Sequence, residues 1–178
     1  KCYLLNRQGY FVFFHGAFRR AVEVLFLSSP EGKKATHRQI SDYLRTHAPL
    51  VRKVSELPAH LTVLCAWDEL YDLLSDPVFL AAAWKTNRFE VLHYWSLVKN
   101  NSSHQMLEAY REVIASPARF PDVIWPVCFL LNDGEHQSAV LKLIDFVEHK
   151  ARENGDDFEL QASLSLKAQI LKSRKDFD

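Results

Sequence analysis

The apolar residues of this chain change their spacing once, at Phe14, and no other feature constrains the fold as much. Before this point, the aromatic run in residues 10–14 has the composition of a β-strand. After it, apolar residues recur at the spacing of one helical face: Ala17, Phe18, Ala21, Val22 and Leu25. No later stretch alternates as a half-buried strand does. We therefore predict one strand that leads into an amphipathic helix, in a chain whose fold is all-α dominated.

His15 lies where this strand meets this helix. The first turn of an α-helix has backbone N–H groups without intrahelical acceptors, and the positive end of the helix dipole favours phosphate there. An imidazole nitrogen at this position can reach a phosphate oxygen, or it can simply cap a free amide of the first turn. Local chemistry alone leaves both interpretations open.

The sequence FFHGAFRRAV, residues 13–22, resembles the end of the winged-helix domain of STAND-type signalling NTPases. This class contains the NACHT and NB-ARC proteins, in which a methionine-histidine-aspartate-like motif joins a strand to a helix. The histidine of that motif contacts the β-phosphate of bound ADP. The resemblance therefore implies that His15 contacts nucleotide, with ADP or ATP as the cofactor of the parent protein. Phe14 and Gly16 replace the methionine and the aspartate of the motif.

Residues 54–80, VSELPAHLTVLCAWDELYDLLSDPVFL, are similar to the region that leads into tetratricopeptide repeats in nephrocystin-like NACHT proteins. The resemblance implies three segments: the C-terminal part of a winged-helix domain in residues 1–53, a helical connector in residues 54–132, and the start of a tetratricopeptide-like array in residues 133–178. An NTPase module is expected before residue 1 and further repeats after residue 178.

This resemblance implies a regulatory and scaffolding function in a nucleotide-switched signalling protein. The segment would couple the upstream NTPase domain of the same chain to downstream repeats that bind other proteins or peptides. The sequence itself has neither a GxxxxGK[ST] phosphate loop nor a nucleophile elbow, so we expect no enzyme within it and no bound cofactor of its own, apart from the contact of His15 with nucleotide in the parent protein. A free-standing helical-repeat adaptor without an NTPase is the alternative.

The charge is unevenly distributed although the chain is neutral overall. Residues 1–53 contain ten Lys or Arg and three Asp or Glu. Such a basic segment can face phosphate, nucleic acid or an acidic neighbouring domain, or it can consist of solvated helix faces only. A nucleic-acid-binding winged helix would use these phosphate contacts: Arg19, Arg20, Lys33, Lys34 and Arg38. We do not expect a nucleic-acid partner, because Arg19 and Arg20 lie outside an evident recognition helix.

The cysteine and histidine patterns predict no metal site. Cys2, Cys65 and Cys128 are far apart, which favours a reducing, cytoplasmic compartment. The histidines form no HExxH motif and no Cys/His cluster. No apolar run has membrane-spanning length, so we expect no membrane partner.

Capping signals predict a succession of helices along the chain. The expected caps are Thr36, Ser55, Asp68, Asp76, Asn87 and Ser102. Pro49 is expected to end the helix that begins at Thr36. The acidic groups in residues 68–72 and 156–159 are interpreted as helix starts, and the tryptophans as core residues.

Two similar turns, at Gly134 and Lys175, lie 41 residues apart. This exceeds the ~34 residues of a standard tetratricopeptide unit and resembles the longer-helix variant of kinesin light chains and many STAND proteins. A plain helical hairpin is the alternative. We predict helices over residues 135–152 and 158–172. The second has an apolar stripe, Leu160, Leu164, Ala168 and Leu171, which we expect the first helix to cover on one side and a later helix on the other.

Overall fold

Two short strands and a series of helices follow one another along the chain. The computed structural model describes residues 4–7, 10–13, 16–133 and 136–175. The elements are β1 Leu4–Arg7, β2 Tyr10–Phe13, α1 Gly16–Phe26, α2 Pro30–His47, α3 Leu50–Val63, α4 Trp67–Ser75, α5 Pro77–Asn101, α6 Met106–Ala109, α7 Arg111–Ala115, α8 Ile124–Asp133, α9 Gln137–Asn154 and α10 Asp157–Lys175. Short 3₁₀ turns, Pro117–Arg119 and Pro121–Val123, precede α8. The prediction of an all-α-dominated fold is confirmed; its winged-helix and tetratricopeptide parts stay predictions.

The strand-to-helix transition is where the sequence predicts it. Strands β1 and β2 form an antiparallel hairpin in which Leu4 lies opposite Phe13. Helix α1 begins at Gly16, close behind the end of β2. The apolar face predicted for α1 is only partly covered by the described residues: Phe18 and Val22 are half-buried, whereas Leu25 is 72% exposed.

Helices α2 and α3 begin earlier than predicted. The Ser29 hydroxyl accepts a hydrogen bond from the Gly32 amide at 2.9 Å, and proline occupies the first helical position, so α2 starts six residues before Thr36. Thr36 instead donates to the Gly32 carbonyl from inside the helix. Ser55 likewise lies inside α3, which starts directly after Pro49. The two predicted starts were wrong, whereas the end of α2 before Pro49 is confirmed.

Helices α2 and α3 form an antiparallel hairpin around the turn at Ala48 and Pro49. Near the turn, the Lys53 ammonium donates to the Arg45 carbonyl at 2.7 Å. Farther from it, a His37 ring nitrogen lies 2.7 Å from a His60 ring nitrogen.

Helix α5 is preceded by a cap and interrupted by a second one, as predicted. The Asp76 carboxylate accepts from the Phe79 amide at 2.7 Å. At Asn87 the dihedral angles leave the helical region, with φ −160° and ψ 95°. The Asn87 side chain accepts from the Phe89 amide and donates to the Glu90 carboxylate, each at 3.1 Å. These two hydrogen bonds of the Asn87 side chain cap the helix where it restarts after the kink.

The other two predicted caps were wrong. Ala66 is the N-cap of α4, and Asp68 lies in the first turn, where its charge still suits the helix dipole. Ser102 ends α5 and donates to the Val98 carbonyl, so the next helix starts only after Gln105.

Helices α9 and α10 form a second antiparallel hairpin. Gln137, at the start of α9, donates to Ser173 near the end of α10, and Lys167 joins Glu148 at 2.8 Å. Gly155 adopts φ 67° between them, a left-handed conformation that glycine adopts at little cost. Both predicted helices are confirmed, with the ends shifted by one to three residues.

The face of α10 that packs inward differs from the predicted stripe. Its buried residues are Ser163, Leu166 and Ile170. Leu164 and Leu171, which belong to the predicted stripe, are 40% and 43% exposed. Helix α9 therefore covers this stripe only in part and packs mainly on the neighbouring face of the same helix; that a later helix covers the other side stays a prediction.

The tryptophans were predicted to be core residues, and one of the four is fully packed. Trp95 is 2% exposed, whereas Trp67, Trp84 and Trp125 are half-buried at the edge of the core. The division at residue 53 stays a prediction; residues 53 and 54 both lie within α3. Among the described residues, the helices are too short or too polar to cross a membrane.

Candidate functional site

The predicted nucleotide contact, His15, lies outside the described residues. The elements on either side of it are described: β2 ends at Phe13, and α1 begins at Gly16. On the first turns of α1, Arg19 forms an ion pair with Glu23 at 3.3 Å. The local order of strand, histidine and helix therefore matches the arrangement from which the phosphate contact was predicted.

Three of the five predicted phosphate contacts remain without an ion-pair partner among the described residues. Arg20, Lys33 and Lys34 are exposed. Arg38 lies 2.6 Å from Glu69 on α4, and Arg19 is occupied by Glu23. The basic residues therefore do not form one free cationic surface.

Glu69 joins α2 to α4. Partial burial opposes its ionisation, but hydrogen bonds from Arg38 and Arg45 outweigh burial and hold the pKa of Glu69 below its ordinary value. The carboxylate therefore stays charged at neutral pH and holds two cationic side chains at the border of a surface depression.

We name this depression the charged cleft. It lies between the α2–α3 hairpin and helices α4 and α5 and has a volume of about 410 Å³. Its floor is apolar and includes Leu57, Leu61, Leu73 and Phe79. Its rim consists of Arg45, Lys53, Glu69, Asp72 and Asp76. The size is in the range of small-molecule and peptide sites.

The rim is mostly committed to internal contacts. Lys53 donates to the Arg45 carbonyl and Asp76 caps α5, while Asp72 has no ion-pair partner within the described part of the chain. An apolar floor beside one free carboxylate can accept an apolar side chain next to a cationic one. These are properties of a surface that binds a protein or peptide.

Comparisons with protein-family models, curated proteins and solved structures found no match to this chain.

A second depression, at the turn between α3 and α4, brings together side chains that are far apart in the sequence. His104 lies 2.8 Å from the Asp68 carboxylate and stacks on Tyr71 with ring centroids 4.0 Å apart. Cys65 lines the same depression and has φ 54°, an uncommon conformation for a residue other than glycine. Its thiol forms no hydrogen bond with His104, so Cys65 and His104 do not form a nucleophile–base pair.

The remaining candidate groups have structural roles. Burial raises the pKa of the Cys128 thiol to about 12, which makes it a poor nucleophile at neutral pH. The Asp156 carboxylate accepts from the Glu159 amide at 2.9 Å and caps α10, as predicted for a helix start. Within the described residues, His, Cys, Asp and Glu form no group of three that could hold a metal ion.

The sequence analysis did not identify these sites. Glu69, Asp72 and Asp76 recur at helical spacing, which is a signal for one acidic side of the charged cleft, but the acidic group in residues 68–72 was interpreted as a helix start. Arg45 and Lys53 come from other helices, and Asp68 and His104 are 36 residues apart. Contacts between such distant residues depend on the packing of helices and have no local sequence signal.

Proposed function

We propose that this chain is the regulatory and scaffolding segment of a nucleotide-switched signalling protein of the STAND class. It couples an upstream NTPase module to a downstream tetratricopeptide array, and it contributes His15 to the ADP site of that module. ADP and ATP are cofactors of the parent protein, which works in the cytoplasm.

The observation that carries this proposal is the order of elements along the chain. Strand β2 leads into α1 across His15, and antiparallel helical hairpins follow. A histidine between a strand and a helix N-terminus suits a phosphate contact. Helical hairpins suit a segment that transmits a change of state between two domains, since their helices move as packed units.

A helical-repeat adaptor without an NTPase is the second candidate, and the charged cleft is the observation that favours it. The cleft provides a binding surface that needs no nucleotide. The two functions differ in whether His15 affects nucleotide retention.

Replacing His15 by alanine in the full-length protein is expected to weaken ADP binding by roughly tenfold to one hundredfold. A hydrogen bond to a charged group contributes about 1.5–3 kcal/mol, which corresponds to this factor. The resemblance implies that bound ADP keeps the protein in its inactive state, so basal signalling should rise when ADP is lost. The measurement is the dissociation rate of a fluorescent ADP analogue, with His149→Ala as the control, since His149 is an exposed residue of α9. Unchanged ADP release from the His15→Ala protein would favour the adaptor.

The 178-residue chain by itself is expected to bind neither ATP nor duplex DNA tightly. It contains no phosphate loop, and two of its candidate phosphate-binding arginines are held by glutamates. Fluorescence anisotropy with labelled ATP and with a labelled duplex at physiological ionic strength measures both. Micromolar or tighter DNA binding that weakens steeply with salt would instead identify a nucleic-acid-binding module.

A further inference from the structure

Three aromatic side chains on α5 and α8 form a continuous row, which we name the aromatic ladder. The rings of Trp84 and Phe129 are stacked with centroids 6.1 Å apart and planes inclined by 20°. Phe129 and Trp125 follow at 6.2 Å and 36°. A polyproline II helix rises about 3.1 Å per residue, so each step of the ladder matches about two residues of such a helix.

One side of the ladder faces solvent, and the other side packs against the hydrophobic core. Phe129 is 44% exposed. Trp84 and Trp125 are half-buried and pack against the hydrophobic core with their inner edges. Large aromatic rings that are already ordered lose little conformational entropy when they bind a partner. Such rings are the residues that dominate binding energy at interfaces.

The two indole N–H groups of the ladder differ in whether they have a hydrogen-bond acceptor. Trp125 donates to the Glu159 carboxylate at 3.2 Å. The Trp84 N–H has no acceptor among the described residues and is not buried. A donor that is not fully buried and lies beside partly exposed rings can bind a carbonyl oxygen that a partner leaves free.

We propose that the aromatic ladder binds a proline-rich segment of a partner protein in the polyproline II conformation. The backbone of this conformation makes no internal hydrogen bonds, so its carbonyl groups are available to the Trp84 N–H. An α-helix uses its carbonyl groups internally and cannot offer them in this way. Proline rings pack flat on aromatic rings, which is how aromatic-lined grooves recognise proline-rich segments.

The charges beside Trp125 determine which residues are favoured next to the prolines of the partner segment. Glu159, Asp156 and the exposed Asp157 lie at the start of α10, next to the Trp125 end of the ladder. The nearby cation, Lys150, is paired with Glu153 at 2.7 Å. The excess of carboxylates favours a lysine or arginine directly beside the prolines.

The proline-rich partner belongs to the proposed scaffolding role and rests on that proposed function. The binding of this partner can nevertheless be tested separately from the nucleotide contact. The nucleotide predictions concern His15, whereas the ladder lies on α5 and α8. Failure of peptide binding leaves the ADP experiment unaffected, and unchanged ADP release leaves the ladder unaffected.

The test uses the 178-residue chain and three synthetic peptides: a run of prolines flanked by arginine, the same run flanked by glutamate, and an amphipathic helical peptide. Binding is followed by titration calorimetry and by the NMR signal of the Trp84 indole N–H. The arginine-flanked peptide is expected to bind and to shift this signal. The glutamate-flanked peptide should bind several times more weakly.

Two variants that each remove a phenylalanine, one inside the ladder and one outside it, are compared. Phe129→Ala is expected to weaken binding about tenfold or more, as expected when a central aromatic contact of an interface is removed. Trp84→Phe keeps an aromatic ring but removes the N–H donor together with the five-membered part of the indole, and a loss of at least threefold to tenfold is expected, since one net hydrogen bond alone accounts for about this factor. Phe89→Ala removes a 68% exposed phenylalanine of α5 outside the ladder and should leave binding within about twofold of the original chain.

Three results would overturn the assignment. One is the absence of binding by the arginine-flanked peptide at about millimolar concentration, the weak end of specific association. The second is equal or tighter binding of the helical peptide at the same indole signal. The third is self-association of the chain that Phe129→Ala abolishes, which would mean that a second copy occupies the ladder. Trp84→Phe keeps the test valid if Phe129→Ala fails to fold.

Discussion

Replacing Tyr110 by phenylalanine is expected to lower the free energy of unfolding by about 3 kcal/mol. Tyr110 is fully buried, and its hydroxyl accepts from the Trp95 indole N–H and donates to the Leu74 carbonyl, each at 3.0 Å. Phenylalanine leaves both groups buried without this partner, and each unsatisfied group costs about 1–3 kcal/mol. The packing volume hardly changes, so the loss reports on hydrogen bonding. Burial raises the pKa of Tyr110, and the hydroxyl therefore stays protonated at neutral and moderately alkaline pH.

Denaturant unfolding followed by circular dichroism measures this loss. Tyr71→Phe is the control, because Tyr71 packs edge-on against Trp95 in the same aromatic cluster but is only half-buried. Its hydroxyl forms no hydrogen bond with a described residue, so a change within about 0.5 kcal/mol is expected. In a double-mutant cycle, Tyr110→Phe and Trp95→Phe should be less than additive, because they remove one shared hydrogen bond. A change below 1 kcal/mol for Tyr110→Phe, or strict additivity, would contradict this role.

The Trp95–Tyr110 contact also explains what the sequence could reveal about the core. Trp95 was predicted to be a core residue, and Tyr110 recurs with Met106 and Val113 at helical spacing; Trp95 and Tyr110 are both buried. Their hydrogen bond joins the kinked helix α5 to the junction of α6 and α7, and the bond to Leu74 adds the end of α4. Periodicity identifies which side chains turn inward, but it cannot identify which inward side chains meet.

Helix starts show the same limit at the level of local structure. Ser29 followed by Pro30 carries the same signal as Asp76 followed by Pro77, a capping side chain before proline at the first helical position. The second pair was predicted as a helix start, whereas glycine at position 32 gives the residues around the first pair the composition of a turn. The structure places that glycine in the first turn of α2, where its amide binds the Ser29 hydroxyl. A capping bond of about 1 kcal/mol offsets the low helix propensity of one glycine.

Helix α10 shows why the exposed surface was harder to predict than the helix. Apolar residues occur on two of its faces, and spacing alone does not show which face has a partner. The inward face includes Ser163, which satisfies its hydroxyl by donating to the Leu160 carbonyl. In a sequence pattern such a serine counts as a polar residue. The pattern therefore predicts the all-apolar stripe that includes Leu164 and Leu171 as the packed face.

The histidine pair between α2 and α3 makes stability depend on pH. The Nδ1 atoms of His37 and His60 lie 2.7 Å apart, so one ring must donate a proton and the other must accept it. Charging the acceptor places two donors face to face and removes the hydrogen bond. Burial lowers the pKa of His60, the neighbouring His37 lowers it further, and Glu56 offsets part of this effect. In the unfolded chain, His60 titrates near its ordinary value of 6.5.

Acidification from about pH 7.5 to about pH 5.5, across the ordinary titration range of histidine, is therefore expected to destabilise the chain. In this window the unfolded state binds more protons than the folded state, so the free energy of unfolding falls as pH falls through 6.5 towards the lower folded pKa of His60. The expected loss is on the order of 1 kcal/mol, since the pair is half-exposed and water screens the repulsion. Denaturation midpoints measured across this range should fall less steeply for His60→Gln than for the original chain.

His149→Gln is the control, because His149 is exposed and its charge is favourable beside Glu153 at 3.2 Å, so the loss of stability in acid should persist in this variant. Identical pH profiles for His60→Gln and the original chain would show that the pair does not control acid stability.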